Sequence, residues 1–235
     1  MYGFKGEKVL SLKHEYFNSR NRDLSEKNDN SSASRSFLAI RELDTFKGLC
    51  RIKGIDDNLD GATFLDLGAG DQFLGLALSG ANYIPLDIED LDFESEALPI
   101  SDDSVDILFS LAVVEHISNI GHFMSECFRV LKPNGIIYLS TPNFRYCFRD
   151  FYNDPTHVHP FTDISLAKTV EYYGFDSVEA FPNARCKTDW FYKGKYRFSK
   201  CAYLPFLGSN RWAPRFLCGR ATGIFCLGVK PISKD

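Results

Sequence analysis

Short apolar runs alternate with longer stretches of helical periodicity along most of the chain. The first run, at 62–67, is too short for a helix and leads into two glycines, which is typical of a buried strand. Alternation at this spacing implies strand–helix–strand crossovers and therefore a parallel sheet. Seven strands are predicted, at 62–67, 82–87, 91–94, 105–110, 135–141, 175–182 and 222–230, with helices at 72–80, 118–132 and 163–173.

The chain before the first strand has a different pattern. Residues 19–34 are polar and rich in Asn and Ser, which indicates a mobile loop. Apolar residues from Phe37 to Leu49 then recur at helical spacing, so we expect an amphipathic helix that either covers the sheet or lies over its ligand side. We divide the chain into an N-terminal cap and loop at 1–60, a core at 61–182, an insertion at 183–221, and a last core strand with a tail at 222–235.

The composition favours one globular domain, since 44% of the 235 residues are apolar and 25% are charged. No apolar run approaches the roughly 20 residues that a membrane span requires. The N-terminus lacks the apolar core of a signal peptide, so a cytoplasmic location is expected. The seven cysteines include no C-x-x-C pair, so we predict no disulfide and no zinc site built from cysteine. The sequence does not indicate an oligomeric state.

The insertion at 183–221 carries a charge opposite to that of the whole chain. The net charge is −4, yet nine Lys or Arg residues and only one acid lie between Arg185 and Arg220, interleaved with aromatic residues. This composition fits a hydrophobic subdomain with solvated charges, a cap over an anionic substrate, or a face at 185–220 that meets anionic lipid headgroups. Nucleic acid is not expected as a partner, because the chain is acidic overall and contains no recognised RNA-binding module.

The candidate chemistry begins directly after the first predicted strand. Gly68 and Gly70 form a turn that lets backbone N–H groups approach a ligand closely. Asp87 ends the next strand, 21 residues after Asp66, where an acid can hold a ribose diol. A dinucleotide site needs a third glycine where this chain has Phe73, and Asp66 would repel a pyrophosphate. The same acid favours a cation, so these residues predict a positively charged nucleoside.

These residues, Asp66-Leu67-Gly68-Ala69-Gly70, resemble the first motif of class I S-adenosylmethionine-dependent methyltransferases, whose cofactor carries a sulfonium and an amino group. The segments 94–108, 110–117 and 128–143 resemble later motifs of that family, in the same order and spacing. The segment 154–162 resembles a subgroup that acts on sugars, quinone precursors and other small molecules. The resemblance implies a Rossmann-like, doubly wound α/β fold with a mostly parallel seven-stranded sheet, an antiparallel last strand and helices on both faces.

The resemblance also implies S-adenosyl-L-methionine as the cofactor and a role for each motif position. Asp87 would accept hydrogen bonds from both ribose hydroxyls, and Glu94 with the Ser95 amide would read the adenine edge. Asp66 would act near the methionine amine. The cofactor positions implied are Asp66, Leu67, Gly68, Ala69, Gly70, Asp87, Ile88, Glu94, Ser95, Ser110 and Leu111.

Methyl transfer to an alcohol requires a group that removes the hydroxyl proton, and a neutral imidazole suits that task at cellular pH. The candidates are His116, His157 and His159. In an extended loop His157 and His159 project to the same side, because one residue separates them. We prefer His157 as the base, with Asp154 orienting it, whereas His116 fits a structural role equally well. A metal site built from these two histidines and Asp154 is disfavoured, and no metal is predicted.

The sequence therefore predicts a methyltransferase that acts on a hydroxyl of a small molecule or of a glycan- or lipid-linked sugar. A methyltransferase for quinone precursors or other aromatic compounds is the first alternative. The second alternative is a module that binds the cofactor but has lost catalysis.

Overall fold

A six-stranded sheet forms the centre of the described part of the chain, which comprises residues 32–182 and 223–232 of a computed structural model. The strand order is β2-β1-β3-β4-β6-β5. The last strand, β6, runs antiparallel to its neighbours β4 and β5, as predicted. The other neighbouring strands pair in parallel. The strands are β1 (Thr63–Leu67), β2 (Asn82–Leu86), β3 (Val105–Leu111), β4 (Leu131–Pro142), β5 (Asp176–Pro182) and β6 (Gly223–Val229).

The sheet has six strands rather than the predicted seven because residues 92–96 form a turn. The Asp92 carboxylate accepts hydrogen bonds from the Glu94 amide at 3.0 Å and from the Ser95 hydroxyl at 2.6 Å. The Asp92 carbonyl accepts from the amides of Ser95 and Glu96. An aspartate that binds backbone two residues ahead stabilises a turn and competes with strand pairing. The strand predicted at 91–94 is therefore wrong.

Helices cover both faces of the sheet, as predicted, although one of them is much shorter than expected. The stretch predicted as a helix at 72–80 contains only a 3-10 turn, Phe73–Ala77, preceded by Gln72 in a left-handed conformation with φ of 56°. Gly75 and Gly80 lower the helical preference of this stretch, and only four residues separate the turn from β2. The helices are α1 (Ser32–Lys53), α2 (Ile120–Val130), α3 (Phe144–Cys147) and α4 (Asp163–Tyr172), with further 3-10 turns at Val114–His116 and Phe151–Asn153.

The N-terminal helix covers one face of the sheet through an aromatic cluster. Phe46 of α1 lies 5.0 Å from Phe109 of β3, and Phe109 lies 4.5 Å from Tyr138 of β4, measured between ring centroids. The first half of the same helix is more exposed, yet Arg35 donates to the Asp71 carbonyl beside the glycine turn. The second half of this helix thus covers the sheet, and its first half contacts the residue that follows Gly70. On the opposite face α2 and α4 pack against Leu65, Leu108 and Ile137.

Parts of the predicted organisation lie outside the described residues. They are the N-terminal residues 1–31, the basic, aromatic insertion at 183–221, the first residue of the strand predicted at 222–230, and residues 233–235 of the tail. The loop predicted at 19–34 lies outside as far as residue 31, and its last three residues belong to α1. Within the described ranges, no helix combines the length and the apolar character that crossing a bilayer requires.

The connection from β1 to β2 places the glycine turn at the carboxyl edge of the sheet, where open α/β sheets bind ligands. The amides of Gly68 and Ala69 donate to the Leu86 carbonyl, at 2.8 and 3.2 Å, so the turn is tied to the end of β2. Gly68 has φ of +79° and Gly70 has φ of +51°, a region that favours glycine. A Cβ on Gly68 would lie 2.2 Å from Val113 Cγ2, whereas nothing lies within 4 Å of the corresponding position on Gly70.

Alanine substitutions should separate the effect of the left-handed backbone, which both glycines share, from the lack of space for a side chain at Gly68. Gly70→Ala is expected to cost about 1–2 kcal/mol of unfolding free energy, from the left-handed backbone alone. Gly68→Ala should cost roughly 1–3 kcal/mol more, because the added methyl group must displace Val113. Urea unfolding of both variants without ligand measures the difference. Equal losses would contradict the close packing of Gly68 on Val113.

Candidate active site

Two carboxylates stand at the ends of the adjacent strands β1 and β2. Asp66 is 2% exposed and pairs in register with Pro85, so Asp87 follows two residues later at the same edge of the sheet. The Tyr83 hydroxyl donates to Asp66 Oδ2 at 2.7 Å. Asp87 therefore lies near Asp66, at the end of the neighbouring strand. The structure thus brings together the two acids from which the sequence predicts a site for a positively charged nucleoside.

Asp87 faces the glycine turn directly. Its Oδ2 accepts from the Gly70 amide at 2.6 Å, and its Oδ1 accepts from the Ile88 amide at 2.6 Å. The Asp87 amide donates in turn to Asp90 Oδ2. A carboxylate has about four acceptor sites, so each oxygen of this half-buried group can accept one further hydrogen bond. Two oxygens that each accept one more donor match the two hydroxyls of a ribose.

The turn predicted to contact adenine lies beside the start of α2. Asn119 caps α2 by accepting from the His122 amide, and its Nδ2 donates to the Glu94 carbonyl at 2.9 Å. The Ser95 amide donates to the Asp92 carbonyl at 3.2 Å, so this donor is already used within the turn. The side chain of Glu94 is half-buried and lies in the turn itself.

Ser110 and Leu111 end β3, next to the glycine turn. Ser110 is fully buried and pairs in register with Leu67 of β1. Its hydroxyl has no hydrogen-bond partner among the described residues. Leaving a buried hydroxyl unpaired costs about 1–3 kcal/mol, so this position favours a polar group arriving from a ligand.

The histidine loop is fastened to the 3-10 turn that follows β3. The Glu115 carbonyl accepts from the amides of Val158 and His159, at 2.8 and 3.0 Å. His157 Nδ1 lies 2.6 Å from the Phe151 carbonyl, and His159 Nδ1 lies 2.7 Å from the Ile117 carbonyl. A carbonyl oxygen only accepts, so Nδ1 carries the hydrogen in both rings and Nε2 carries the lone pair.

His116 and His157 lie side by side, with ring centroids 4.7 Å apart. His116 Nδ1 lies 2.8 Å from Thr156 Oγ1, which lies 2.5 Å from Asp154 Oδ1. Asp154 Oδ2 is 3.9 Å from His157 Nε2. The Phe151 carbonyl therefore holds the Nδ1 hydrogen of His157, and Asp154, predicted to orient this ring, lies on its Nε2 side.

Comparison with known proteins agrees with this geometry. A family model described as a methyltransferase domain matches residues 65–139. The match runs from within β1, through the glycine turn, β2 and β3, to Leu139 in β4. A protein of Mycolicibacterium smegmatis named probable S-adenosylmethionine-dependent methyltransferase is 40% identical over 82 residues, which cover 34% of this chain and 32% of that protein.

The chain carries a class I S-adenosylmethionine-dependent methyltransferase domain. S-adenosylmethionine is accordingly its cofactor. A ubiquinone biosynthesis O-methyltransferase of Sinorhizobium fredii is 29% identical over 83 residues, covering 35% of this chain and 34% of that protein. These matches span about a third of each relative.

The fold of a solved methyltransferase extends the likeness beyond the matched segment. The crystal structure of a SAM-dependent methyltransferase from Archaeoglobus fulgidus superposes with a TM-score of 0.58, at 20% identity, over 88% of this chain and 98% of that chain. Identity this low shows the shared Rossmann-like architecture alone.

Several residues of the methyltransferase domain's site were missed in the sequence analysis. Tyr83 was assigned only to a strand, and its contact with Asp66 arises from the pairing of β1 with β2. Phe151 contributes a backbone carbonyl, which no side-chain pattern indicates. Asn119 could have been found, since an asparagine just before an apolar helical stretch is a common N-cap.

Burial raises the pKa of the Asp66 carboxyl from 3.8 to about 7, and the charges of Asp87 and Asp71 act in the same direction. The hydrogen bond from Tyr83 opposes this shift. Between pH 4 and 7 the folded methyltransferase domain therefore binds more protons at this position than the unfolded chain does. Its stability falls as the pH rises through that window.

Asp66→Asn should remove this pH dependence, because Asn resembles the protonated acid and keeps an acceptor for Tyr83. Without cofactor, the stability gained by the variant should grow from about pH 4 to pH 7 and reach on the order of 4 kcal/mol above pH 7. Chemical unfolding across that range measures it. A gain that stays constant with pH would show that Asp66 is not the titrating group.

Proposed function

We propose that this chain transfers the methyl group of S-adenosylmethionine to a hydroxyl of a small molecule or of a glycan- or lipid-linked sugar. One observation carries the proposal. Gly68, in the glycine turn between the two acids, packs against Val113. Val113 directly precedes the 3-10 turn that contains His116. That 3-10 turn also holds the loop of His157 through backbone hydrogen bonds. A nucleoside site and a histidine that can accept a proton thus share one edge of the sheet.

The cofactor would bind with its ribose on Asp87 and its backbone contacts along Gly68, Ala69 and Gly70. Asp66 would then lie near the methionine amine, where the positive charge of the ligand favours the ionised carboxylate. Because the pKa of Asp66 is about 7 in the protein alone, cofactor binding would expel a proton from it near neutral pH. Glu94 would contact the adenine, and Ser110 would offer its buried hydroxyl to the methionine moiety.

When bound, S-adenosylmethionine would supply a methyl group activated by the sulfonium. The acceptor oxygen would displace it in line, and the electron pair of the broken carbon–sulfur bond would stay on sulfur. His157 Nε2 would accept the hydroxyl proton, since its Nδ1 hydrogen is held by the Phe151 carbonyl. The positive charge would thereby pass from the sulfonium to the His157 imidazole, and a pocket that excludes water would hold the acceptor oxygen and the methyl group at reacting distance. His159 has the same tautomer and is the second candidate for this role.

His157→Gln tests the proton acceptor, because Gln can still donate to the Phe151 carbonyl but cannot take up a proton. We expect kcat to fall by about 10²–10⁴-fold with an alcohol acceptor, while the Kd for S-adenosylmethionine stays within twofold. Steady-state rates and calorimetric titration measure the two quantities. Wild-type turnover in His157→Gln, with a loss in His159→Gln instead, would transfer the role to His159.

A second acceptor class is favoured by one comparison, the likeness to the Sinorhizobium fredii ubiquinone biosynthesis O-methyltransferase. In that case the acceptor would be a phenol of a quinone precursor or another aromatic compound. A phenol, with a pKa near 10, loses its proton far more easily than a sugar alcohol. Methylation of a phenol should therefore survive His157→Gln with a much smaller loss of kcat, which separates the two acceptor classes.

The basic, aromatic insertion at 183–221 supports an anionic or lipid-linked acceptor and contact with a membrane surface, on its composition alone. Electrostatic capture of such an acceptor weakens as salt screens the charges. The KM for the acceptor should therefore rise between low and high ionic strength. A KM that does not change with salt would count against an anionic acceptor.

A further inference from the structure

Three side chains from two separate segments converge at the 3-10 turn that follows β3: Glu115, His116 and His157. One ligand atom of each lies within 4.8 Å of the corresponding atom of the other two. We infer that these residues form a binding site for a divalent transition-metal ion, with Zn²⁺ as the best-suited ion. Binding of this ion does not depend on the proposed acceptor or on methyl transfer.

The donor set selects the class of ion. Two imidazoles and one carboxylate are a common set for zinc, which then keeps a fourth position for water. Mg²⁺ and Ca²⁺ prefer oxygen ligands, so two nitrogen donors disfavour them. Zinc ligands at about 2.1 Å in tetrahedral geometry lie roughly 3.4 Å from one another. The three groups therefore need only small side-chain movements to close around an ion.

Both imidazoles already have the tautomer that a metal ligand requires. His157 donates its Nδ1 hydrogen to the Phe151 carbonyl. The Thr156 hydroxyl donates to Asp154 Oδ1, so its oxygen accepts the Nδ1 hydrogen of His116. Each ring thus donates its Nδ1 hydrogen to an oxygen, as metal-binding histidines almost always do with the ring hydrogen opposite the metal.

Burial and backbone contacts favour a cation at this position. Glu115 is 1% exposed and His116 is 8% exposed, so an ion bound by them would be shielded from most of the solvent. The Glu115 carbonyl holds the amides of Val158 and His159, which fixes the loop of His157 against the turn that carries the other two ligands. Little ordering is then left for metal binding to impose.

The site has one consequence that rests on the proposed function. A metal ion and a proton compete for the same lone pair on His157 Nε2. Zinc should therefore inhibit methyl transfer to an alcohol, and a chelator should restore it. The inhibition should be weak for an acceptor that needs no histidine base.

Equilibrium dialysis of the chelator-treated chain against ZnCl₂, without cofactor or acceptor, tests the site. We expect one tightly bound ion per chain, with at least a 10-fold loss of affinity in Glu115→Gln and in His157→Asn. Thr156→Val should also weaken binding by about 10–100-fold, because His116 loses the acceptor of its Nδ1 hydrogen. His122→Asn is the matched control, since His122 lies on α2 and contacts the Glu96 carbonyl instead.

Cobalt substitution adds a readout that identifies the donors. Co²⁺ at this site should give the visible spectrum of a nitrogen and oxygen environment, without the thiolate charge-transfer band that binding to cysteine would produce. Far-UV circular dichroism and the Kd for S-adenosylmethionine report whether each variant is folded. Failure of the wild type to bind zinc, or equal binding by folded variants, would overturn the inference. Zinc that binds without inhibiting transfer would leave the metal site standing and would remove His157 as the base.

Discussion

The parallel pairing of β1 with β2 is the constraint on which the site depends. It places Asp66 and Asp87 at one edge of the sheet, although 21 residues separate them in the chain, and it brings the Tyr83 hydroxyl to Asp66. Two amides of the glycine turn bond to the carbonyl that ends β2, and a third bonds to Asp87 itself. Without that pairing, the glycine turn and Asp87 would not lie together.

Packing extends this arrangement from the cofactor side to the histidines. Gly68 has no room for a side chain because Val113 lies against it, and Val113 directly precedes the 3-10 turn with Glu115 and His116. The Glu115 carbonyl then anchors the loop that carries His157. Each step is a short contact between neighbouring backbone segments, so the two halves of the site have little freedom to move apart.

Much of the fold could be predicted from the sequence because its signals are local. Apolar runs bounded by glycine or charged residues gave five of the strands nearly within their observed bounds, and the helical period gave α2 and α4. The errors arose where a side chain bonds to nearby backbone. Asp92 stabilises a turn where the apolar content suggested a strand, and a left-handed Gln72 precedes a stretch too short for a full helix.

The site was predicted less completely because its geometry depends on distant contacts. Motif spacing identified the two acids, the glycines and the three histidines, but not the partner of each. The carbonyl of Phe151 fixes the tautomer of His157. Every residue has a backbone carbonyl, so the sequence does not show which residue provides this contact. The convergence of Glu115 with His157 arises from a loop that folds back over some forty positions, which no local pattern encodes.

The most direct test of the account is calorimetric titration of S-adenosylmethionine into the wild type, Asp87→Asn and the exposed neighbour Glu89→Gln. Hydrogen bonds to a charged group contribute about 1.5–3 kcal/mol each, so loss of the Asp87 charge should weaken binding at least 10-fold. Glu89→Gln should bind like the wild type, which would exclude a general effect of local charge. Equal affinity in Asp87→Asn and the wild type would contradict the placement of the cofactor at the ends of β1 and β2.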